Sequence, residues 1–164
     1  MYTVGIIIVS DRAYAGDRED GCLEVFTKKL PDKFSIINSK IVSDDPDLIT
    51  GVLEEFVSKE INLIFTSGGT GCAERDNTPE VTKKIIEKLT PGVDEAIRSF
   101  STSKSPNAIY SRAISGIANK SFIINLPGSP KAVGEILEFL LLSIEHPLKL
   151  ISKQLKDCQE DVQS

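Results

Sequence analysis

The sequence predicts a three-layer α/β domain: a mostly parallel sheet with helices on both faces and an added hairpin. Apolar β-branched runs, such as VGIIIV over residues 4–9, alternate along the chain with segments of helical periodicity. A continuous apolar run is the pattern of a central parallel strand covered on both faces. A second apolar run, through Ile61, Leu63, Ile64 and Phe65, ends abruptly in Thr66-Ser67-Gly68-Gly69-Thr70-Gly71. That is a buried strand delivering a glycine-rich loop to the carboxyl edge of a sheet, where open α/β folds place their ligands. Finally, residues 114–118 and 121–126 are strand-like and separated only by Asn119-Lys120, a hairpin pattern.

The elements follow in order. The strand over 4–9 ends at Ser10-Asp11-Arg12 and passes into a glycine-containing loop, after which Asp20 can cap a helix over about 21–30. Residues 34–42 offer the next strand. Asp45 before Pro46 is an N-cap and N1 pair, and the helix beyond carries the stripe Leu48, Ile49, Val52, Leu53, Phe56 and Val57. After the strand at 62–66 and the glycine loop, a helix starts at Thr78-Pro79 with Val81, Ile85, Ile86 and Leu89, and Thr90-Pro91-Gly92 breaks it. Residues 93–100 read as a short helix, 101–107 as a polar connection, and 107–113 as another helical turn or two. The second hairpin strand ends in Pro127-Gly128-Ser129-Pro130. The helix after it carries Val133, Ile136, Leu137, Leu140, Leu141 and Ile144, and Pro147 starts a final helix to about 156. Residues 1–156 thus form one domain and 157–164 a polar tail.

Composition narrows the function classes. A chain of 164 residues suits one domain with a sizeable core, and 40% hydrophobic with 26% charged residues is ordinary for a soluble protein. A net charge of −5 argues against nucleic acid as a main partner, because phosphate-backbone binding needs clustered Lys and Arg. No apolar run approaches the roughly 20 residues that span a bilayer. The amino terminus enters a strand without a basic region before an apolar segment, so neither a membrane nor a signal peptide is expected and the location expected is cytoplasmic. The 3 cysteines, Cys22, Cys72 and Cys158, show no CxxC spacing, so neither a disulfide framework nor a zinc site is expected. Cys72 lies inside the glycine loop, but the only histidine, His146, sits beside Pro147, and a small loop residue is the better reading than a nucleophile.

Glycines let backbone N–H groups approach an anion without interference from a Cβ. The loop is not a P-loop, since no lysine occurs between Glu60 and Lys83, and not a dinucleotide fingerprint, since Glu74 takes the place of the third glycine. Either it binds phosphate, with Asp76 placed to hold an accompanying metal ion, or it is a tight strand-to-helix connection with Asp76 as a helix-entry carboxylate. The carboxyl edge also collects Ser10-Asp11, Asp44 and the Pro127-Gly128 turn, the geometry of a single binding crevice.

At these loops the residues match a known pattern. Ser10-Asp11-Arg12, Asp44, Thr66-Ser67-Gly68-Gly69-Thr70-Gly71, Arg75-Asp76, Thr78-Pro79-Glu80, Ser111-Arg112 with Gly116, and Asn125-Leu126-Pro127-Gly128-Ser129-Pro130 resemble the molybdopterin adenylyltransferases of the MogA type. The chain is similar also to the amino-terminal domain of gephyrin, and the resemblance covers about 4–150. It implies Mg²⁺-dependent transfer of AMP from the co-substrate ATP to molybdopterin, with release of pyrophosphate. It also implies a homotrimer and a hand-off to a molybdenum-insertion protein. The MoaB proteins share the fold and loop; residues 75–79 and 107–116 look nearer the MogA branch. A non-catalytic molybdopterin- or nucleotide-binding scaffold is the alternative.

Asp44 and Asp76 resemble the family's two functional aspartates and would be catalytic and hold the metal, since Mg²⁺ prefers one or two carboxylates plus substrate oxygens. Asp45 is read as a helix cap instead. The resemblance implies substrate contact for Ser10, Asp11, Thr66, Ser67, Gly68, Gly69, Thr70, Gly71, Ser111, Arg112, Asn125, Pro127 and Gly128. Several have plainer readings: Asp11 as a strand end, Ser111 and Arg112 as surface residues, Asn125 and Pro127-Gly128 as turn formers. Lys83 and Lys84 read as a solvated helix face.

Overall fold

In the run Tyr2–Val9, alternate side chains point to opposite faces, yet both sets are apolar, so the strand is satisfied only inside a sheet covered on both sides. The computed structural model, which describes residues 1–152, places it there. The chain order is β1 (Tyr2–Val9), α1 (Asp11–Tyr14), α2 (Cys22–Lys29), β2 (Phe34–Val42), α3 (Pro46–Ser58), β3 (Leu63–Ser67) and α4 (Thr78–Ile85). Then come β4 (Lys88–Leu89), α5 (Pro91–Lys104), a 3₁₀ helix (Pro106–Tyr110), β5 (Ser115–Ala118), β6 (Ser121–Leu126), α6 (Pro130–Leu140) and α7 (Glu145–Ile151). The six-stranded sheet has the order β2-β1-β3-β6-β5-β4.

The pleat sorts the core into two layers. Ile6 and Ile8 of β1 join Phe26, Phe65, Phe122 and Leu137 on one face; Ile7 and Val9 join Ile49, Leu53, Phe56 and Ile123 on the other. β1, β2, β3 and β6 are mutually parallel, and the register aligns Val9 with Val42, Ile8 with Ser67, and Ser67 with Leu126. That register brings Ser10, Asp44, Gly68 and Pro127 to one edge.

The mixed sheet and the β5–β6 hairpin agree with the sequence reading, and Asn119 takes φ +51 at the turn. Several boundaries differ. The helix from Thr78 stops at Ile85, and Ile86 turns extended so that Lys88 and Leu89 pair antiparallel with Ile117 and Gly116. Gly116 permits this pairing, because a Cβ there would collide with the Lys88 carbonyl. Leu89, expected on the helical stripe, is 52% exposed instead.

Pro91 begins α5 rather than only ending the element before it, as its fixed φ and missing N–H suit a first helical turn. The helix runs through the serine- and threonine-rich stretch expected to be a connection. Thr102 Oγ1 donates to the Arg98 carbonyl at 2.7 Å and Ser103 Oγ to the Phe100 carbonyl at 2.6 Å, so these hydroxyls are satisfied along the helix.

The apolar stripe of α6 (Val133, Ile136, Leu137, Leu140) is buried within the domain, and Ile144 beyond it is buried too. These residues leave little for a contact between subunits. α7 starts at Glu145, with Pro147 inside its first turn. The expected end of that helix and the expected tail lie outside the described residues, as does Cys158.

Asp45 caps α3 as its place before Pro46 suggests, its Oδ1 accepting from the N–H groups of Asp47 at 2.9 Å and Leu48 at 3.2 Å. Replacing it removes acceptors for two otherwise orphaned donors. Asp45→Ala should therefore lower stability by about 1 kcal/mol, read as an earlier denaturation midpoint at unchanged slope. A variant as stable as the parent would show that water satisfies this helix end equally well.

Candidate active site at the carboxyl edge of the sheet

β3 ends in Thr66 and Ser67, both buried, and the chain then turns through two glycines in the left-handed region, Gly68 at φ +108 and Gly69 at φ +63. The turn is also crowded. A Cβ on Gly68 would strike the Val9 carbonyl and one on Gly69 the Thr78 hydroxyl. Glycine is required here by contacts inside the protein, before any ligand is considered.

The loop is fixed from three sides. The Gly68 N–H donates to the Leu126 carbonyl at 3.0 Å, and Ser67 Oγ to the Pro127 carbonyl at 2.9 Å. Thr78, entering α4, donates through its N–H to the Gly69 carbonyl at 3.1 Å and through its hydroxyl to the Gly68 carbonyl at 2.9 Å. Arg112 closes the far side: its N–H reaches the Thr70 carbonyl at 3.0 Å and its Nε the Gly71 carbonyl at 2.6 Å. Its other nitrogens bind the Asp76 carbonyl and the Glu80 carboxylate. Among the described residues, the N–H groups of Gly69, Thr70 and Gly71 donate to no protein acceptor. A rigid loop with three such donors beside a cleft is a ready anion site.

Asp44 and Asp76 flank that loop. The hydrogen of the Gly69 Cα stands where a Cβ would lie 3.1 Å from Asp44 Oδ1, and at Gly71 the same construction lies 2.8 Å from Asp76 Oδ2. Asp44 is held by a reciprocal pair of bonds: its Oδ2 accepts from the Asp11 N–H at 2.9 Å, and Asp11 Oδ1 accepts from the Asp44 N–H at 3.0 Å. Asp76 Oδ2 accepts from the Ala73 N–H at 3.0 Å. Burial pushes the Asp44 carboxyl above its usual range, against the lowering effect of the Asp11 N–H. Asp11 goes the other way, because the Arg75 fork binds both its oxygens, at 2.6 and 2.8 Å.

Asp44, Asp76, Gly69 and Gly71 line a crevice of about 300 Å³ with Ser10, Ser67, Gly68, Thr70 and Gly128, whereas Asp11 and Arg75 stand outside its lining. Arg18 and Asp20, which sequence reasoning did not place at the site, line it as well, and Arg18 is the one basic residue among the described residues that do so. Among the described residues no group of three or more His, Cys, Asp and Glu could hold a metal. A pair of carboxylates on one crevice suits an ion that takes its remaining ligands from water and substrate phosphate.

The other candidates are distributed differently. Thr66 and Asn125 lie beneath the crevice: Asn125 Nδ2 donates to Thr66 Oγ1 at 2.8 Å and Thr82 Oγ1 at 2.9 Å, while its Oδ1 accepts from the Ile114 N–H at 3.3 Å. Asn125 thus ties β6, β3 and α4 together. Ser111, Asn125 and Pro127 line a second, larger cavity of about 500 Å³ between α5, the 3₁₀ helix and α6. The two hollows meet at the Pro127-Gly128 turn, each lined by one of its residues. The sequence reading missed this cavity because it cut α5 short.

Asp94 on α5 lines the larger cavity and accepts from the Ser115 hydroxyl at 2.6 Å. Burial raises its pKa from 3.8 to about 6. A carboxyl with a raised folded-state pKa contributes stability that is present below the unfolded value and lost as pH rises through the folded one. Asp94→Asn, which cannot ionise, should therefore melt close to the parent near pH 4 and above it near pH 7. Melting curves at both pH values check this, and a variant equally or less stable at pH 7 would contradict it.

Comparison with known proteins bears on the whole arrangement. Residues 5–146 match the family model described as "Probable molybdopterin binding domain". The chain is 41% identical over 153 residues to the molybdopterin adenylyltransferase of Helicobacter pylori strain J99, covering 90% of this chain and 86% of that one. It is 39% identical over 143 residues to the enzyme of the same name from Haemophilus influenzae, covering 84% and 72%. The solved structure of the molybdopterin biosynthesis enzyme MoaB from Thermus thermophilus superposes with a TM-score of 0.88 at 37% identity, covering 93% of this chain and 98% of that one. Sequence, fold and the loop-bearing edge agree, and the chain belongs to the molybdopterin binding domain family.

Proposed function

We propose that the chain is a molybdopterin adenylyltransferase of molybdenum cofactor biosynthesis, transferring AMP from ATP to molybdopterin and releasing pyrophosphate. The names of its relatives support this reading. The observation that carries it is the pair Asp44 and Asp76 set against a glycine loop with unpaired N–H donors, next to a second cavity large enough for a ring system. A reaction joining two anionic substrates needs adjoining sites and charge neutralisation more than a covalent catalyst.

In this reading the crevice takes the triphosphate. The N–H groups of Gly69, Thr70 and Gly71 bind phosphate oxygens, and Asp44 and Asp76 hold Mg²⁺, which when bound supplies Lewis-acid neutralisation of the phosphates. An oxygen of the molybdopterin phosphate attacks the α-phosphorus of ATP; the new O–P bond forms as the bond to the bridging oxygen breaks, and that electron pair leaves with pyrophosphate. The attacking phosphate is already ionised, so no general base is required. Arg18 faces the same crevice and offsets negative charge there. Asp11, held by Arg75, positions Asp44 through the reciprocal bonds, and Arg112 keeps the loop in place rather than meeting substrate with its bound nitrogens.

The test is pyrophosphate release from ATP, Mg²⁺ and molybdopterin. Asp44→Asn and Asp76→Asn should each keep the parent's circular dichroism and lose turnover by about a hundredfold or more, the scale of removing transition-state charge stabilisation. Normal release in either variant would take that residue out of the mechanism. Binding of both substrates without release by the parent would favour a non-catalytic scaffold.

No helix among the described residues is long and apolar enough to cross a membrane. We further propose a cytoplasmic homotrimer, with hand-off of product to a molybdenum-insertion protein. Leu89, Ile109 and Tyr110 remain 52%, 54% and 63% exposed on the segment added beyond the parallel sheet, which makes it a better contact surface than α6. Light scattering at micromolar concentration should give about three times the 17.9 kDa chain mass. A fully active monomer would defeat the assembly.

A further inference from the structure

The larger cavity places a carboxylate where the proposed reaction has no use for one. Asp94 takes no part in the phosphate crevice, and its one oxygen with a hydrogen bond is oriented by Ser115, a fully buried residue of β5. Ile97, Ala113, Pro127 and Ile136 give the wall an apolar side, and Arg98, Lys104, Lys131 and Glu135 line it as well. A cavity of about 500 Å³ that combines an apolar side with polar side chains suits a planar heteroaromatic ligand oriented by those groups.

We propose that Asp94 is a specificity-determining residue that binds the 2-amino-4-oxopyrimidine edge of the pterin through its carboxylate. This rests on the molybdopterin reading above and adds to it which residue selects the ring. The pterin edge presents a ring N–H beside an exocyclic NH₂, two parallel donors that one carboxylate accepts together. The corresponding edge of adenine offers one donor and one acceptor, and the acceptor would face a carboxylate oxygen. Asp94 therefore favours pterin and disfavours adenine, sending the two rings to different hollows. Guanine carries the same two donors as pterin, so the geometry alone recognises the shared edge; the phosphate chemistry next door favours pterin as its bearer.

The energetics point the same way. With its pKa raised to about 6, Asp94 is mostly ionised at neutral pH and disfavoured by burial in the empty protein. Arg98 on the same helix is nearby, but one of its terminal nitrogens is already bound to the Ser111 carbonyl at 2.5 Å. Two ligand donors would give both carboxylate oxygens a direct partner beside the Ser115 bond. A charged group kept at a cost to the fold is the mark of a binding or catalytic position.

The experiment follows the intrinsic fluorescence of hydroxymethylpterin titrated with the full chain, beside its 2-oxo counterpart hydroxymethyllumazine, which has lost the exocyclic donor. The parent should prefer the pterin by about tenfold or more, and Asp94→Asn should erase that preference while leaving AMP binding unchanged. A merely structural role would weaken both ring systems alike and keep their ratio. An unchanged ratio in Asp94→Asn, or a parent with no preference, overturns the assignment. GMP displacing the pterin while binding more tightly, and depending on Asp94, would overturn pterin as the bearer in favour of a guanine nucleotide. If the ratio collapses as expected in a parent that releases no pyrophosphate, the pterin site stands and only the transferase reading falls.

Discussion

The site depends on one packing constraint: the chain after β3 turns in the narrow space between the end of β1 and the start of α4. Gly68 lies against the Val9 carbonyl and Gly69 against the Thr78 hydroxyl, with no volume left for a Cβ at either. Because that space is filled, the loop cannot relax, and the orientation of its following N–H groups is set by the sheet itself. The same contact relates β1, whose end carries Ser10 and Asp11, to α4, whose entry carries Asp76. A rigid, preorganised donor set is what electrostatic catalysis requires, since it pays no reorganisation when charge develops.

Around this turn the charged groups are used unevenly. Arg75 is committed to Asp11, and Arg112 to loop carbonyls and Glu80, so both strengthen the frame. Asp44 and Asp76 receive backbone N–H groups and no basic side chain directly. Their remaining oxygen lone pairs are those the proposed Mg²⁺ would use, and Asp11 fixes Asp44 through the reciprocal bonds. Burial raises the Asp44 pKa, so a cation bound beside it would offset part of that desolvation.

The segment from β4 to the 3₁₀ helix extends this design. The β4–β5 pairing, permitted by Gly116, sets the start of α5, and α5 with α6 encloses the second cavity. One turn, Pro127-Gly128, belongs to both hollows, and Ser67 ties it to the glycine loop. Two adjoining sites joined through a shared backbone would hold two substrates in fixed relation, the main requirement of the proposed group transfer between anions.

Residues that act through local rules were legible in the sequence. The buried strands, the Asp45-Pro46 cap, the Asn119-Lys120 hairpin and the convergence of Ser10, Asp44, the glycine loop, Asp76 and Gly128 follow from apolar runs, capping chemistry and parallel topology. The family resemblance added the chemistry, which no periodicity contains. What tertiary structure alone decided depends on partners far along the chain. Leu89 left its helical stripe because Lys88 and Leu89 found β5, a pairing set by residues 116 and 117. α5 outran its polar composition because the Thr102 and Ser103 hydroxyls bond to its own carbonyls and its apolar side packs on α6, with Phe100 stacked on Phe139 at 4.9 Å. Arg112 and Asn125 read as ligand contacts in the sequence, yet the fold uses their donors internally, because the nearest acceptors are the loop carbonyls and the hydroxyls of Thr66 and Thr82. Asp94 carried no signal at all: a carboxylate in a first helical turn is commonplace, and only its burial beside Ser115 in a cavity gives it a function.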